Sequence, residues 1–219
     1  MPEANSVNLA DQPLSRCTLF VSLRSPFARR VRVAFLELGL PFQEEVADVL
    51  APSAALVAVN PLARVPALRT RDGATLVESQ LILEQLLAPL GAGAARLRPT
   101  GGPARARADL VTGLSLGLCD KAIEWFFEHL RPAASRDAAL LDEIRGIAVR
   151  TFAALEAQLG GAPLDQEAPA ATWDLGIALA YWDLRVDKGW RAGHPRLADL
   201  AARLDARESF KKTAPPPPA

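Results

Sequence analysis

The feature of this sequence that most constrains its fold is a change of pattern near residue 90. Before that point, short runs rich in strand-forming residues alternate with helical segments, in the predicted order β-α-β-α-β-β-α. After a Gly/Pro/Arg-rich stretch at residues 91–102, apolar residues recur only at helical spacing. A chain of 219 residues is long enough for two cores. We therefore predict an α/β domain followed by an all-helical domain.

The predicted elements are bounded by ordinary turn and cap residues. The strands are predicted at residues 17–21, 42–46, 65–69 and 75–77, and the helices of the first domain at 26–38, 51–59 and 79–88. A hairpin turn, Arg-Asp-Gly, joins the last two strands. The predicted organisation is a flexible leader at 1–15, the α/β domain at 16–90, a linker at 91–102, the helical domain at 103–210, and an extended or disordered Pro-rich tail at 211–219.

Charge and cysteine content exclude several classes of protein. The 25 basic and 25 acidic residues cancel, which argues against nucleic acid or an acidic membrane surface as the main partner. No apolar run approaches the length of about 18 residues that spans a bilayer. The two cysteines, Cys17 and Cys119, match no disulfide framework or metal site. We expect a cytoplasmic protein without a bound metal.

The segment SLRSPFARR contains the first candidate site residue, Ser25. Serine is favoured at a helix N-cap and proline at the first helical position, so Ser25 and Pro26 predict the start of a helix. Three arginines of this helix lie largely off its apolar face: Arg29, Arg30 and Arg32. Taken alone, the segment favours a structural cap at Ser25 over a reactive hydroxyl.

Three motifs in order carry a resemblance to a known family. They are RSPF at residues 24–27, NPLARVPAL at 60–68 and VES at 77–79. With the two-part organisation, they resemble the cytosolic glutathione S-transferase superfamily, and within it the small bacterial members with Ser or Cys at the reactive position. The similarity covers roughly residues 17–217. It implies a thioredoxin-like first domain, glutathione as co-substrate, and a homodimer.

The resemblance implies that Ser25 donates a hydrogen bond to the glutathione thiolate and is not itself the nucleophile. Lowering a thiol pKa by about two units requires about 2.7 kcal/mol of preference for the anion. A hydrogen bond to a charged group supplies about 1.5–3 kcal/mol, and a helix N-terminus about 0.3–1 kcal/mol. The cap and the thiolate donor are then the same residue. Serine-hydrolase chemistry is disfavoured because neither a Gly-x-Ser-x-Gly elbow nor a plausible His partner accompanies Ser25.

The second motif resembles the family's cis-proline turn at Val65-Pro66. Such a turn exposes the backbone N–H and C=O of Val65, and an extended peptide such as glutathione can pair with them as an added strand. Arg64 replaces the Gln or Lys often found there, and it can hold the glycine carboxylate of glutathione. The plain alternatives are an ordinary edge-strand proline and a solvated loop arginine.

The third motif, with one residue of the first, completes the implied glutathione site. Ser79 and the backbone N–H groups that follow it can bind the γ-glutamyl carboxylate, while Glu78 can accept from the ammonium group. The resemblance also includes Phe27, the last residue of the first motif, among the glutathione-binding residues. The plain alternative is that Ser79 caps its own helix.

In the helical domain, Asp174 resembles the family's buried helix-cap aspartate. The usual Ser or Thr three residues earlier is Ala171, so we expect Thr172 to substitute. Three consecutive aromatic residues either line a pocket for the electrophile or belong to the core, and core is the more common outcome: Trp125, Phe126 and Phe127.

The predicted activity is transfer of the glutathione thiolate to a hydrophobic electrophile. One alternative is a glutathione-dependent peroxidase or reductase, although disulfide exchange needs a thiol and Ser25 has none. Another is a non-catalytic binding or regulatory protein that retains the fold. A measurement of glutathione affinity tests the last alternative, because a non-catalytic protein that keeps only the fold can lack glutathione binding altogether.

Overall fold

The computed structural model describes residues 14–217. The predicted leader lies outside the described residues except for Leu14 and Ser15, and so do the last two residues of the predicted tail. The chain forms two compact units. Within the described residues, the first comprises residues 14–94 together with Glu208–Pro216, and the second comprises Ala95–Arg207 together with Pro217.

The first unit is a four-stranded mixed sheet with three helices in its N-terminal part. The elements are β1 (Cys17–Val21), α1 (Pro26–Glu37), β2 (Phe42–Val46), α2 (Ala54–Val59), β3 (Ala67–Arg69), β4 (Thr75–Val77) and α3 (Ser79–Leu87). The strand order is β2-β1-β3-β4, with β1 parallel to β2 and antiparallel to β3, and with β3 antiparallel to β4. This arrangement confirms the predicted thioredoxin-like order of elements.

Strand β1 lies at the centre of the sheet, and its sequence explains its position. Four of the five residues of CTLFV are buried, as expected for a strand covered on both faces. Strand β2, FQEEV, has no fully buried residue and lies at the sheet edge, where charged side chains discourage pairing with another chain. One core cluster joins β1 to α2 and β3, and Val65 and Val77 pack against it: Phe20, Ala47, Leu56, Val59 and Ala67.

The second unit is helical in all its regular elements within residues 95–207, and the all-helical prediction is confirmed. Its helices are α4 (Gly102–Leu130), α5 (Ala138–Gln158), α6 (Leu164–Glu167), α7 (Pro169–Arg185) and α8 (Pro195–Asp205). Half of the predicted linker, residues 91–96, belongs to a 3₁₀ segment, Ala88–Arg96, that is kinked at Gly91. Over residues 14–217, no helix is both long enough and apolar enough to cross a membrane.

The C-terminal segment is helical up to Lys212, so the first two residues of the predicted extended tail belong to a helix. Its first residues form α9 (Glu208–Lys212), which packs against α1 in the first unit. Residues 208–210 were assigned to the helical domain, and the structure places them in the first unit instead. Periodicity could not reveal this, because the return of a distant segment to the first helix leaves no local signal.

The expectation that three arginines of α1 lie away from the buried side is wrong. Arg29, Arg30 and Arg32 have exposed fractions of 5%, 5% and 7%. The C-terminal segment and α3 cover the side of α1 that an isolated amphipathic helix would leave in water. Arg29 donates to the Phe210 carbonyl at 3.2 Å, and Arg32 pairs with Glu44 at 2.8 Å. These partners offset the cost of burying a guanidinium.

The predicted role of Asp174 as a helix cap also needs correction. Asp174 is buried, but α7 begins at Pro169, so the aspartate lies in the second turn of the helix. Its carboxylate accepts from the Thr112 hydroxyl of α4 at 3.1 Å. The Thr172 hydroxyl donates to the Pro169 carbonyl at 2.6 Å and caps nothing. The helix starts earlier because proline is well accommodated at its first position.

Candidate functional site

The sheet register brings the three sequence motifs to one edge of the first unit. Phe20 of β1 pairs with Ala67 of β3, which in turn pairs with Val77 of β4. Neighbouring strands lie about 4.8 Å apart, so this row is about 10 Å wide. Because β1 and β4 run in one direction and β3 runs in the other, the residues after β1, before β3 and after β4 share that edge. They are Ser25, Val65, Pro66, Glu78 and Ser79.

Ser25 is the N-cap of α1. Its hydroxyl oxygen accepts from the Ala28 backbone N–H at 3.2 Å, and its carbonyl accepts from the Arg29 N–H at 3.0 Å. The side chain is half-buried, and within residues 14–217 its hydroxyl donates to no acceptor. The cap therefore uses the oxygen lone pair and leaves the hydroxyl hydrogen for a ligand. Capping and donation to a thiolate are compatible at this residue.

The Val65–Pro66 peptide bond is cis, as predicted. Asn60 orders the loop before it: its amide nitrogen donates to the Arg64 carbonyl at 2.8 Å, and its amide oxygen accepts from the Leu62 N–H at 3.1 Å. No group among residues 14–217 hydrogen-bonds to the Val65 backbone N–H or carbonyl. Those two groups can therefore pair with an added extended peptide.

The third motif lies where β4 passes into α3. Glu78 is exposed and has a φ of +69° and a ψ of 121°, a backbone conformation that costs energy for a residue other than glycine. It occupies the N-cap position without a side-chain cap bond. Ser79 is buried as the first residue of α3, so the alternative that Ser79 caps its helix is wrong.

Arg30 connects α1 to the start of α3. One guanidinium nitrogen donates to the Ser79 hydroxyl oxygen at 3.3 Å, and the other donates to the Gln80 amide oxygen at 2.7 Å. Neither Arg30 nor Asn60 was among the predicted site residues. Asn60 had a weak signal as an Asn-Pro turn, whereas Arg30 was interpreted as a surface residue of its helix.

The two remaining predicted site residues differ in their surroundings. Arg64 is exposed, and within residues 14–217 its guanidinium has no hydrogen-bond or ion-pair partner. Phe27 is partly buried in the first turn of α1. Arg64 therefore has an unengaged positive charge on the loop that precedes Val65.

The three consecutive aromatic residues of α4 lie in the helical unit. Trp125 is buried beneath the Arg145 guanidinium, 4.5 Å from its ring centre, and the Arg185 guanidinium lies 3.9 Å from the ring centre of Phe126. Phe127 is half exposed. A cavity of about 620 Å³ in this unit is lined by residues of α6 to α8 and of the connection between α5 and α6, and by none of the three.

The two cysteines are buried. Removal from water raises the pKa of the Cys17 thiol to about 12, against a smaller opposing effect of a backbone hydrogen bond. Cys17 is therefore a neutral thiol at neutral pH and a poor nucleophile. Within residues 14–217, no group of three or more acidic, His or Cys side chains is placed to hold a metal ion.

The fold and the site edge define a class of protein. In the first, thioredoxin-like unit, a serine-capped first helix, a cis-proline turn and the start of the third helix lie at one sheet edge, and a helical unit follows. Comparisons with known proteins agree with this class. Residues 24–87 match the family model "Glutathione S-transferase, N-terminal domain".

Relatives match over most of the chain. The uncharacterized GST-like protein YibF of Escherichia coli K12 is 31% identical over 89% of this chain and 96% of its own. A glutathione S-transferase of Methylobacterium radiotolerans, solved with glutathione sulfonate, is 30% identical with a TM-score of 0.84, covering 94% and 97%. One from Methylobacillus flagellatus, solved with glutathione, is 28% identical with a TM-score of 0.82, covering 91% and 100%. The chain belongs to the glutathione S-transferase superfamily.

Proposed function

We propose that this protein binds glutathione at the sheet edge and transfers its thiolate to a hydrophobic electrophile. The observation that carries the proposal is the register Phe20–Ala67–Val77, which places all three motifs side by side. Two structural relatives were solved with glutathione or its sulfonate bound. Family membership supports glutathione as the ligand. The positions of the site residues support the proposed location and binding mode of glutathione.

Each part of glutathione has a complementary group at this edge. The cysteinyl backbone pairs with the unbonded N–H and C=O of Val65 as an added strand. The γ-glutamyl carboxylate binds at Ser79 and the first N–H groups of α3, and its ammonium group binds Glu78. The glycine carboxylate binds the exposed Arg64 guanidinium.

The thiolate then lies at the N-terminus of α1, beside Ser25 and Phe27. The Ser25 hydroxyl donates to sulfur, and the helix end adds favourable positive potential. Their combined contribution, about 2–4 kcal/mol, lowers a thiol pKa by about 1.5–3 units. The thiol proton is released to water, and the thiolate sulfur then forms a bond to carbon of the electrophile. An aryl halide loses halide in this step, and an enone takes up a proton from water after the addition.

The chemistry of the chain's own thiols favours transfer over disulfide reduction. A reductase needs a reactive thiol, and the position that faces the ligand is a serine. Both cysteines are buried, and the pKa of Cys17 is raised to about 12. A homodimer stays a prediction from the family resemblance, and a cytoplasmic location stays a prediction from composition and cysteine content.

Calorimetry with reduced glutathione tests the binding step. We expect a dissociation constant in the micromolar to millimolar range, about −8 to −4 kcal/mol. Cysteinylglycine, which lacks the γ-glutamyl group, serves as the matched weak ligand. The absence of both heat and thermal shift with millimolar glutathione would overturn the proposal. A screen of aryl halides, enones and peroxides then separates transferase, peroxidase and non-catalytic binding.

A further inference from the structure

Arg30 reaches the site edge from the interior of the first unit. It is the fifth residue of α1 and is buried, and its two terminal nitrogens donate to adjacent residues of α3. The bond to the Ser79 hydroxyl oxygen is 3.3 Å and the bond to the Gln80 amide oxygen is 2.7 Å. Gln80 is itself oriented, since its amide nitrogen donates to Glu84 at 2.9 Å. The guanidinium is thus fixed behind the first turn of α3.

The bond from Arg30 determines what the Ser79 hydroxyl can do. A hydroxyl has one hydrogen to donate and two lone pairs that accept. Because Arg30 occupies a lone pair, Ser79 can meet a ligand by donating its hydrogen, and within residues 14–217 it donates to no other group. A donor that is already polarised by a cation prefers a negatively charged acceptor.

The position of the Arg30 guanidinium at the start of α3 also favours a negatively charged ligand. The first N–H groups of α3 point out of the helix without intrahelical partners, and a helix N-terminus attracts anions. Arg30 adds a full positive charge, held in a poorly hydrated position where electrostatic interactions are screened less than in water. Exposed Glu78 lies at the same turn and opposes anion binding, so a compensating cation has a clear role.

We propose that Arg30 is a positioning residue for carboxylate recognition at the start of α3. It holds the Ser79 hydroxyl as a donor and makes this end of the site selective for a charged carboxylate over a neutral amide. The proposal deepens the proposed function and rests on it. Lysine is a poor replacement, because a single ammonium lacks the planar fork that spans Ser79 and Gln80.

The experiment measures selectivity rather than activity. Calorimetry compares glutathione with the analogue whose γ-glutamyl α-carboxylate is a carboxamide, in the wild type and in Arg30→Met. We expect the wild type to prefer glutathione by about tenfold or more, a ratio that corresponds to about 1.4 kcal/mol. In Arg30→Met the preference should fall to about threefold or less.

Two further variants separate positioning from general loss of structure. In a Ser79→Ala background, Arg30→Met should change the preference much less, because the residue acts partly through the Ser79 hydroxyl. Arg32→Met is the matched control: Arg32 is also a buried arginine of α1, but its partners are Glu44 and the Thr213 carbonyl. It should leave the preference unchanged.

The outcomes are distinguishable. Equal binding of both ligands by the wild type, or an unchanged preference in folded Arg30→Met, overturns the role of Arg30 and leaves glutathione binding intact. Failure of the wild type to bind glutathione at all overturns both proposals. Where circular dichroism shows Arg30→Met unfolded, Arg30→Lys replaces it, with an expected loss of about threefold in preference. An unchanged preference in that variant overturns the proposal.

Discussion

The Ser25 hydroxyl oxygen lies 3.2 Å from the Ala28 backbone nitrogen and accepts its hydrogen. Ser53, the N-cap of α2, makes the same bond to the Leu56 nitrogen at 3.2 Å. The two serines are therefore matched as helix caps. Only Ser25 follows β1 at the edge that carries the Val65 turn and the start of α3. Comparing them separates the structural role of a capping serine from donation to a ligand.

The first prediction concerns Ser25→Ala. Loss of the donor should raise the pKa of the bound glutathione thiol by about one to two units, since a hydrogen bond to a charge contributes about 1.5–3 kcal/mol. Turnover near neutral pH should fall about tenfold or more, while glutathione affinity changes less. Titration of the thiolate absorbance in the ultraviolet measures the pKa directly.

Ser53→Ala is the control for this change. It should lower the free energy of unfolding by about 1 kcal/mol, as Ser25→Ala also should, because both remove an N-cap. It should leave the thiol pKa unchanged. An unchanged thiol pKa in folded Ser25→Ala would reduce Ser25 to a cap.

The second prediction concerns Ser25→Cys. A thiol at a helix N-terminus is acidified, so this variant should attack glutathione disulfide, form a mixed disulfide and release one glutathione thiolate. Intact-protein mass spectrometry should show one added glutathione, removed by dithiothreitol. The wild type should show none, since Cys17 and Cys119 are buried. Reduction of glutathionyl disulfides by the wild type at the rate of the variant would contradict a transferase.

Local patterns were enough to predict most of the first unit. The alternation of short apolar runs and helical periods predicted every strand of the sheet, and Ser25-Pro26 predicted the start of α1. The Val-Pro turn was predicted from a family resemblance and has the expected cis bond. Strand β3 begins two residues later than predicted, at Ala67. Features specified by neighbouring residues are recoverable because the cause lies within a few positions.

Features set by distant partners could not be predicted in the same way. Arg29, Arg30 and Arg32 are buried because α3 and residues 208–216 cover α1. The bond between Arg30 and Ser79 joins residues 49 positions apart. Helical periodicity distinguishes an apolar side from a polar one, but it carries no information on whether a distant segment covers the polar side.

The third prediction concerns pH and the Glu128 carboxylate. Its Oε1 accepts from the Asp137 backbone N–H at 2.7 Å and from Arg131 at 2.8 Å. The pKa of Glu128 is lowered from its ordinary value of 4.5, chiefly by the hydrogen bond from the Asp137 backbone N–H. The hydrogen bond and positive charge of Arg131 lower the pKa further, whereas desolvation opposes both effects. A carboxyl group with a lowered folded-state pKa stabilises the protein above its unfolded-state pKa, and this contribution is lost as pH falls through the folded-state value.

Acid should therefore destabilise the wild type more than Glu128→Gln. Urea unfolding at about pH 7 and again at about pH 4 or below measures the loss. The wild type should lose stability across this interval, and Glu128→Gln should lose less because its side chain stays neutral. Glu143→Gln, at an exposed position of α5, is the control and should follow the wild type. Parallel curves for all three proteins would exclude Glu128 as a source of acid sensitivity.

The last prediction concerns Arg29 and the C-terminal segment. Arg29 donates to the Phe210 carbonyl at 3.2 Å and to the Thr213 hydroxyl at 3.3 Å, with its guanidinium 5.1 Å from the centre of the Phe210 ring. Arg29→Met should lower the free energy of unfolding by about 1.5–3 kcal/mol and speed amide exchange at residues 208–216. The control, Arg203→Met, breaks exposed ion pairs and should cost about 0–1 kcal/mol. Equal losses in the two variants, with exchange at residues 208–216 unchanged, would show that Arg29 does not hold the segment.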